Sequence, residues 1–168
     1  MIVTLSGVTG TGKSFFKNVI SQELNFKNLA IVTTRNKRDG ETNGIDKEFV
    51  SEEKFEELKK ENKVVVSFEF LGSKYAYRKK DLESEESQVT ELHYDTIYEF
   101  KKNAQNVFSI YMIPKDLERA KKELRKRNLP KEIEEKRLKE IDEHIKEYNS
   151  NIDLQNQFVC VFVNDYTE

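Results

Sequence analysis

Gly7-Val8-Thr9-Gly10-Thr11-Gly12-Lys13-Ser14 decides the reading of this chain. Gly7 and Gly12, then Lys13 and the Ser14 hydroxyl, stand at the spacing of a phosphate-cradling P-loop. Met1-Ile2-Val3-Thr4-Leu5 before it is apolar and β-branched, as a buried strand requires, and Phe15, Phe16, Val19, Ile20 and Leu24 after it repeat at helical spacing. Glycines allow such a loop to close around a polyphosphate with its N–H groups turned inward. Gly7, Thr9, Gly10, Thr11, Gly12, Lys13 and Ser14 are thus the candidate ATP-binding residues. Lys13 would reach the β and γ phosphates, and Ser14 would hold a magnesium ion brought by the nucleotide.

Composition bounds the rest. The chain has 168 residues, room for one domain with a real core. It is 36% charged, but 29 basic against 31 acidic residues leave a net charge of -2, so no overall pull toward nucleic acid or an anionic membrane is expected. The single Cys160 sits in the apolar run Phe158-Val159-Cys160-Val161-Phe162-Val163 and reads as a buried structural thiol. With His93 and His144 the only histidines, a His/Cys metal cluster is not expected and magnesium with ATP is the one metal anticipated. No apolar stretch reaches membrane-spanning length, and a cytoplasmic location is the expectation.

Farther along, Leu29-Ala30-Ile31-Val32 reads as a second strand of a parallel sheet. The polar, glycine-punctuated loop from Thr33 to Gly44 carries Arg35 and Arg38, whose guanidinium forks could clamp a second phosphate. Ser51 caps a short helix through Phe55 and Leu58, and Val64 to Leu71 with Lys74 to Tyr77 forms a hairpin around Gly72-Ser73. Lys79 to Ser87 is a charged connector and Gln88 to Leu92 a strand, followed by a helix from about Asp95 to Asn103 and a buried strand Val107–Ile113. Lys115 to Glu147 reads as two charged helices broken near Asn128-Leu129-Pro130, and Phe158 to Val163 as a last strand.

Taken together, the P-loop, Thr33-Thr34-Arg35 with Arg38, Gly40-Glu41, Gly44, Phe49-Val50-Ser51, Gly72 with Tyr75, the paired helices with Arg127 and Arg137, and Val163-Asn164-Asp165 resemble the guanylate kinase family over nearly the whole chain. The resemblance implies an α/β P-loop NTPase fold in a single domain, 1–168. Its parts would be a parallel-sheet core flanked by helices (1–32, 89–114, 148–168), a small mixed α/β monophosphate-binding insert (33–88) and a helical lid (115–147). It implies a kinase moving the ATP γ-phosphoryl group to a nucleoside monophosphate, with Lys13, Arg35, Arg38, Arg127 and Arg137 as catalytic residues. Asn164 matches a position near the adenine of the donor. Arg35, Arg38, Glu41, Lys47, Val66, Glu69, Tyr75, Tyr77, Glu91 and His93 match the acceptor site.

The chain departs from the family where guanine is read. Ile31 replaces a serine, Val66 a glutamate, Tyr77 a small hydroxyl residue and His93 an acidic residue; Lys47 replaces a tyrosine that contacts phosphate, and Glu123 a lid arginine. The phosphate chemistry is retained while the carboxylates able to accept guanine's paired N–H donors are not. GMP and dGMP are the family's acceptors, and a modified or pyrimidine deoxynucleotide or a ribose bisphosphate is the alternative. Guanylate-kinase-like domains also serve as protein-binding scaffolds, against which the intact P-loop argues.

Overall fold

The apolar run ahead of the glycine-rich loop becomes the middle strand of a parallel sheet. In the computed structural model, which describes residues 1–38, 40–45 and 47–166, the strands are β1 (Ile2–Gly7), β2 (Lys27–Asn28), β3 (Ile31–Thr33), β4 (Lys47–Phe49), β5 (Val64–Phe70), β6 (Ser73–Arg78), β7 (Gln88–Glu91), β8 (Val107–Pro114) and β9 (Cys160–Asn164). The helices are α1 (Lys13–Glu23), α2 (Glu52–Lys60), α3 (Lys79–Leu82), α4 (Ile97–Asn103), α5 (Leu117–Arg125), α6 (Lys131–Ser150) and α7 (Ile152–Gln155), with a 3-10 turn at Tyr94–Thr96.

One sheet runs β2-β7-β1-β8-β9 and is parallel throughout. Ile2 to Ser6 are all buried, as expected of a strand covered on both faces. The second sheet, β4-β3-β6-β5, is mixed: β3 pairs parallel with β4 and antiparallel with β6. The expected strand around Leu29 to Val32 therefore divides. Lys27 and Asn28 pair with β7 in the first sheet, Leu29 N–H still donates to Val89 O, and Ile31 has already joined the second sheet.

Within the second sheet a bulge sets the faces. Val64 packs with Val32, Phe55, Leu58 and Ala76 beneath α2, whose first turn is closed by Ser51 Oγ accepting from Lys54 N–H. Val66 has φ 54, and the β5–β6 register shifts between Val65 and Phe68. In a regular strand Val66, Phe68 and Phe70 would share the face of Val64. The bulge turns them to the opposite face, where they join the main core cluster.

The paired helices after β8 break as expected before Pro130, and α6 continues unbroken through residue 147 to Ser150, burying Ile141, His144 and Tyr148. Among the described residues no helix is long and apolar enough to cross a membrane. The last strand corrects one expectation. β9 is an edge strand whose residues Cys160 to Val163 are exposed, so Cys160 is an exposed free thiol and not a buried one. Its apolar run resembles that of a central strand, but with β8 on one side only it lacks the cover a central strand receives.

Candidate active site

β1 delivers the glycine-rich loop to the carboxyl ends of the parallel strands, where open α/β sheets bind ligands. Two glycines there are demanded by close approach. A Cβ on Gly7 would lie 2.1 Å from Met112 O, and one on Gly10 2.3 Å from Ala120 O, with φ positive at both. Thr11 Oγ1 donates to Val8 O at 2.9 Å, and Lys13 Nζ donates to Gly7 O at 2.9 Å and Val8 O at 2.7 Å. The loop is thus held by bonds among its own residues, with the Lys13 ammonium waiting inside it. Burial, then the charges of Arg127 and Arg137, lower the Lys13 pKa to about 8 against the opposing pull of Glu91.

A cleft of about 440 Å³ opens above this loop. Gly7, Thr9, Gly10, Gly12, Lys13 and Ser14 line it, and so do Arg35, Arg38, Lys47, Arg127 and Arg137. Cations from residues far apart in the chain thereby line one cleft. Arg35 Nη2 bonds both oxygens of Glu41, at 2.7 and 2.9 Å, and Glu41 Oε2 also accepts from Arg38 N–H at 2.8 Å. Burial pushes the Glu41 carboxyl up, but the Arg35 and Arg38 donors outweigh it and hold its pKa below the ordinary value. Glu41 consequently fixes the loop that presents both arginines. Arg38 and Arg137 both have depressed pKa values, from burial first and then from neighbouring guanidinium charge, while remaining cations. So much positive charge around one cleft is the complement of a polyanion.

Glu91 lines the same cleft at the tip of β7, although the resemblance assigned it to the acceptor. Burial raises its pKa, but Lys13, Lys47, Lys17 and a hydrogen bond from Ser14 bring it below the ordinary value. It is an ionised carboxylate at the P-loop.

The same cleft has an aromatic wall. Ile31, Tyr75 and His93 are there as expected, joined by Phe68, Phe70, Tyr94 and His144. Phe68 stacks on Tyr75 at 5.2 Å, His93 lies 5.0 Å from both Phe70 and Tyr94, and Arg137 sits 5.6 Å over Phe70. Burial lowers the His93 pKa to about 4 and that of His144 to about 3, with Lys13 adding to both, so both imidazoles are neutral.

Other expected site residues lie outside the cleft. Val66 is 1% exposed and packs into the core at the bulge, and Glu69 points out to solvent on the other face of β5. Tyr77 is fully buried and donates its hydroxyl to Glu91 O at 3.0 Å, supporting that strand from behind. Asn164 Nδ2 donates to Thr11 O at 3.0 Å while its Oδ1 accepts from Tyr166 N–H, so Asn164 braces the P-loop. Thr11 is buried within the loop. Sequence reasoning missed Phe68, Phe70 and Tyr94, and on α6 His144, Glu140 and Ile141. The signal was present: Arg137, Glu140, Ile141 and His144 follow the spacing of one helical face on α6.

A family model described as Guanylate kinase matches residues 1–168. The chain is 28% identical over 170 residues to a guanylate kinase of Rickettsia prowazekii (strain Madrid E), spanning 98% of this chain and 83% of that protein. It is 30% identical over 175 residues to a guanylate kinase of Malacoplasma penetrans (strain HF-2), spanning 98% and 85%. Among solved structures, a guanylate kinase from Anaplasma phagocytophilum shares the fold, with a TM-score of 0.69 at 24% identity over 98% of this chain and 77% of that one.

Proposed function

Since the chain belongs to the guanylate kinase family, and is thus an ATP-dependent phosphotransferase, we propose that its cleft binds ATP and a nucleoside monophosphate together. The γ-phosphoryl group passes between them. The observation that carries this reading is the convergence of Lys13, Arg35, Arg38, Lys47, Arg127 and Arg137 on a single cleft. A P-loop alone accounts for one polyphosphate, whereas the separate clamp built by Arg35, Arg38 and Glu41 supplies a place for a second phosphate.

In the proposed reaction a phosphate oxygen of the acceptor forms a bond to the γ-phosphorus as the bond to the β–γ bridging oxygen breaks, leaving ADP and a diphosphate. The acceptor phosphate is already a nucleophile, so the protein's work is alignment and charge neutralisation. Lys13 neutralises the donor phosphates, Arg35 and Arg38 hold the acceptor, and Arg127 in the turn between α5 and α6 and Arg137 on α6 close over the transferring group. Asn164 contributes by holding the P-loop in shape.

The Ser14 hydroxyl and the Glu91 carboxylate beside it are hard oxygen donors, a set that fits a magnesium ion arriving with the nucleotide. Bound there, the ion would neutralise charge on the β and γ phosphates. Retention of Lys13 and Ser14 favours this catalytic reading over a scaffold that only binds proteins.

The test is direct. Purified protein with ATP and magnesium is offered GMP, dGMP, AMP, CMP, UMP, dTMP and ribose 1,5-bisphosphate, and ADP is quantified with the phosphorylated product. Acceptor-dependent ADP formation is the expected result. ADP formation that no acceptor stimulates would refute the reading.

A further inference from the structure

Among the described residues the carboxylates lining the cleft are Glu41, Glu91 and Glu140, and the first two are engaged. Glu41 accepts from Arg35 and from the Arg38 N–H. Against its burial, Glu91 is kept below its ordinary pKa by Lys13, Lys47, Lys17 and a hydrogen bond from Ser14. Glu140 is different. It is half-buried on α6 and, among the described residues, has neither a hydrogen bond nor an ion pair. Burial raises its pKa, and Arg137 and Lys13, acting from beyond ion-pair distance, do not reverse the shift. Arg137, one helical turn earlier, is directed elsewhere: its guanidinium lies 5.6 Å over the Phe70 ring, and its Nε is buried without a hydrogen-bond partner. A half-buried carboxylate that faces a cleft and lacks a donor from its own chain is completed by a donor from the ligand.

The chemistry of a nucleotide narrows that donor. Ionised phosphates carry only acceptor oxygens, which a carboxylate repels, so the donors are the sugar hydroxyls and the N–H groups of the base. Position decides between them. Glu140 follows Arg137 by three residues, about 4.5 Å along the helix axis, and Lys13 of the P-loop is among the charges acting on it. It therefore stands close to the cations that handle the transferring phosphoryl group. The part of the acceptor bonded directly to its phosphate is the sugar, with the base beyond it, and the ribose of ATP is separated from the transferring group by two further phosphates.

Resting on the proposed kinase reading, we propose that Glu140 binds the sugar of the acceptor, its two oxygens accepting from the 2′- and 3′-hydroxyls of a ribose, so that the site prefers a ribonucleoside monophosphate to its 2′-deoxy counterpart. A cis-diol sets two O–H donors side by side, and an ionised carboxylate meets them with two acceptor oxygens and no proton of its own. A deoxyribose keeps the 3′-hydroxyl but leaves one oxygen of a half-buried carboxylate without a partner. Loss of one hydrogen bond to a charged group weakens binding about 10-fold or more. Selection by the sugar is independent of the base, so it operates within any pair of nucleotides that share one.

Equilibrium titration without ATP, using GMP with dGMP, AMP with dAMP and UMP with dUMP, tests the sugar alone, because the base cancels within each pair. We expect the ribonucleotide to bind about 10-fold or more tighter than its deoxy partner. Glu140→Ala should bring that ratio close to one by weakening the ribonucleotide, with the circular dichroism spectrum unchanged, and Glu140→Gln, which keeps one acceptor oxygen and the shape of the side chain, should give an intermediate ratio. A merely structural Glu140 would weaken both members of a pair alike and leave the ratio as it was. A ratio near one or below in the unaltered protein, binding of neither member of any pair, or a ratio that survives Glu140→Ala and Glu140→Gln overturns the proposal. Acceptor-dependent ADP formation is scored separately: its absence would sink the kinase reading, while the ratio in the titration would still report on Glu140.

Discussion

The P-loop and the aromatic wall of the cleft are made in opposite ways. The P-loop comes from eight consecutive residues; the bonds from Thr11 to Val8 and from Lys13 to Gly7 and Val8 close within it, and Asn164 and Tyr166 brace it from the end of the chain. The aromatic wall collects Phe68 and Phe70 from β5, Tyr75 from β6, His93 and Tyr94 after β7, and His144 from α6. A contiguous loop tolerates change elsewhere in the chain; a surface assembled from four segments depends on each segment's register. The first should therefore be the general part of this enzyme and the second the part that gives it its own substrate.

The sharpest way to break that comparison is Lys13→Ala. Among the described residues its Nζ bonds only carbonyls of the loop, so the fold should survive while phosphoryl transfer falls ~10²- to 10³-fold with every acceptor. Steady-state rates beside a circular dichroism spectrum check this. An unchanged rate would mean that the loop is not where the donor binds.

Arg35→Ala should have a smaller and one-sided effect. Losing a bidentate cation worth ~1.5 to 3 kcal/mol should raise the acceptor KM ~10- to 100-fold, with the KM for ATP little altered. Lysine at this position should restore only part of the loss, because one ammonium cannot hold Glu41 and Asn36 O at once, as Arg35 Nη2 and Nη1 do. An equal rise in both constants would show that the clamp serves both nucleotides.

The aromatic wall is tested separately, through pH. Burial holds the folded-state pKa of His144 near about 3, below its ordinary value of 6.5. Above pH 6.5 the imidazole is neutral whether the chain is folded or not, so its contribution to stability is complete. Below that the unfolded chain takes up a proton that the fold refuses, and stability falls by up to ~1.4 kcal/mol per pH unit as pH drops toward the folded value. His93 adds a similar loss ending near about 4. Melting temperatures measured from pH 7 to 4 should fall accordingly, and His144→Gln should flatten the slope; a variant with an unaltered slope would place the acid sensitivity elsewhere.

The sequence was informative where a property is local. The loop glycines, the Ser51 cap, the hairpin about Gly72 and the helix break before Pro130 all depend on residues a few positions apart, and each is found in the structure. Cys160 misled because an apolar run does not say whether its strand has one neighbour or two. Val66 and Glu69 misled because a matched position is not a matched direction once a bulge intervenes.

By itself, then, the sequence determined the family, the parallel P-loop core and the phosphate chemistry, since these rest on backbone conformations and charges that a short motif dictates. Only the tertiary structure decided which residues form the aromatic wall of the cleft. The left-handed turn at Val66 sets which side of β5 faces the cleft, and the helical phase of α6 brings His144 to it. Both depend on packing between segments far apart in the chain, which no local pattern encodes.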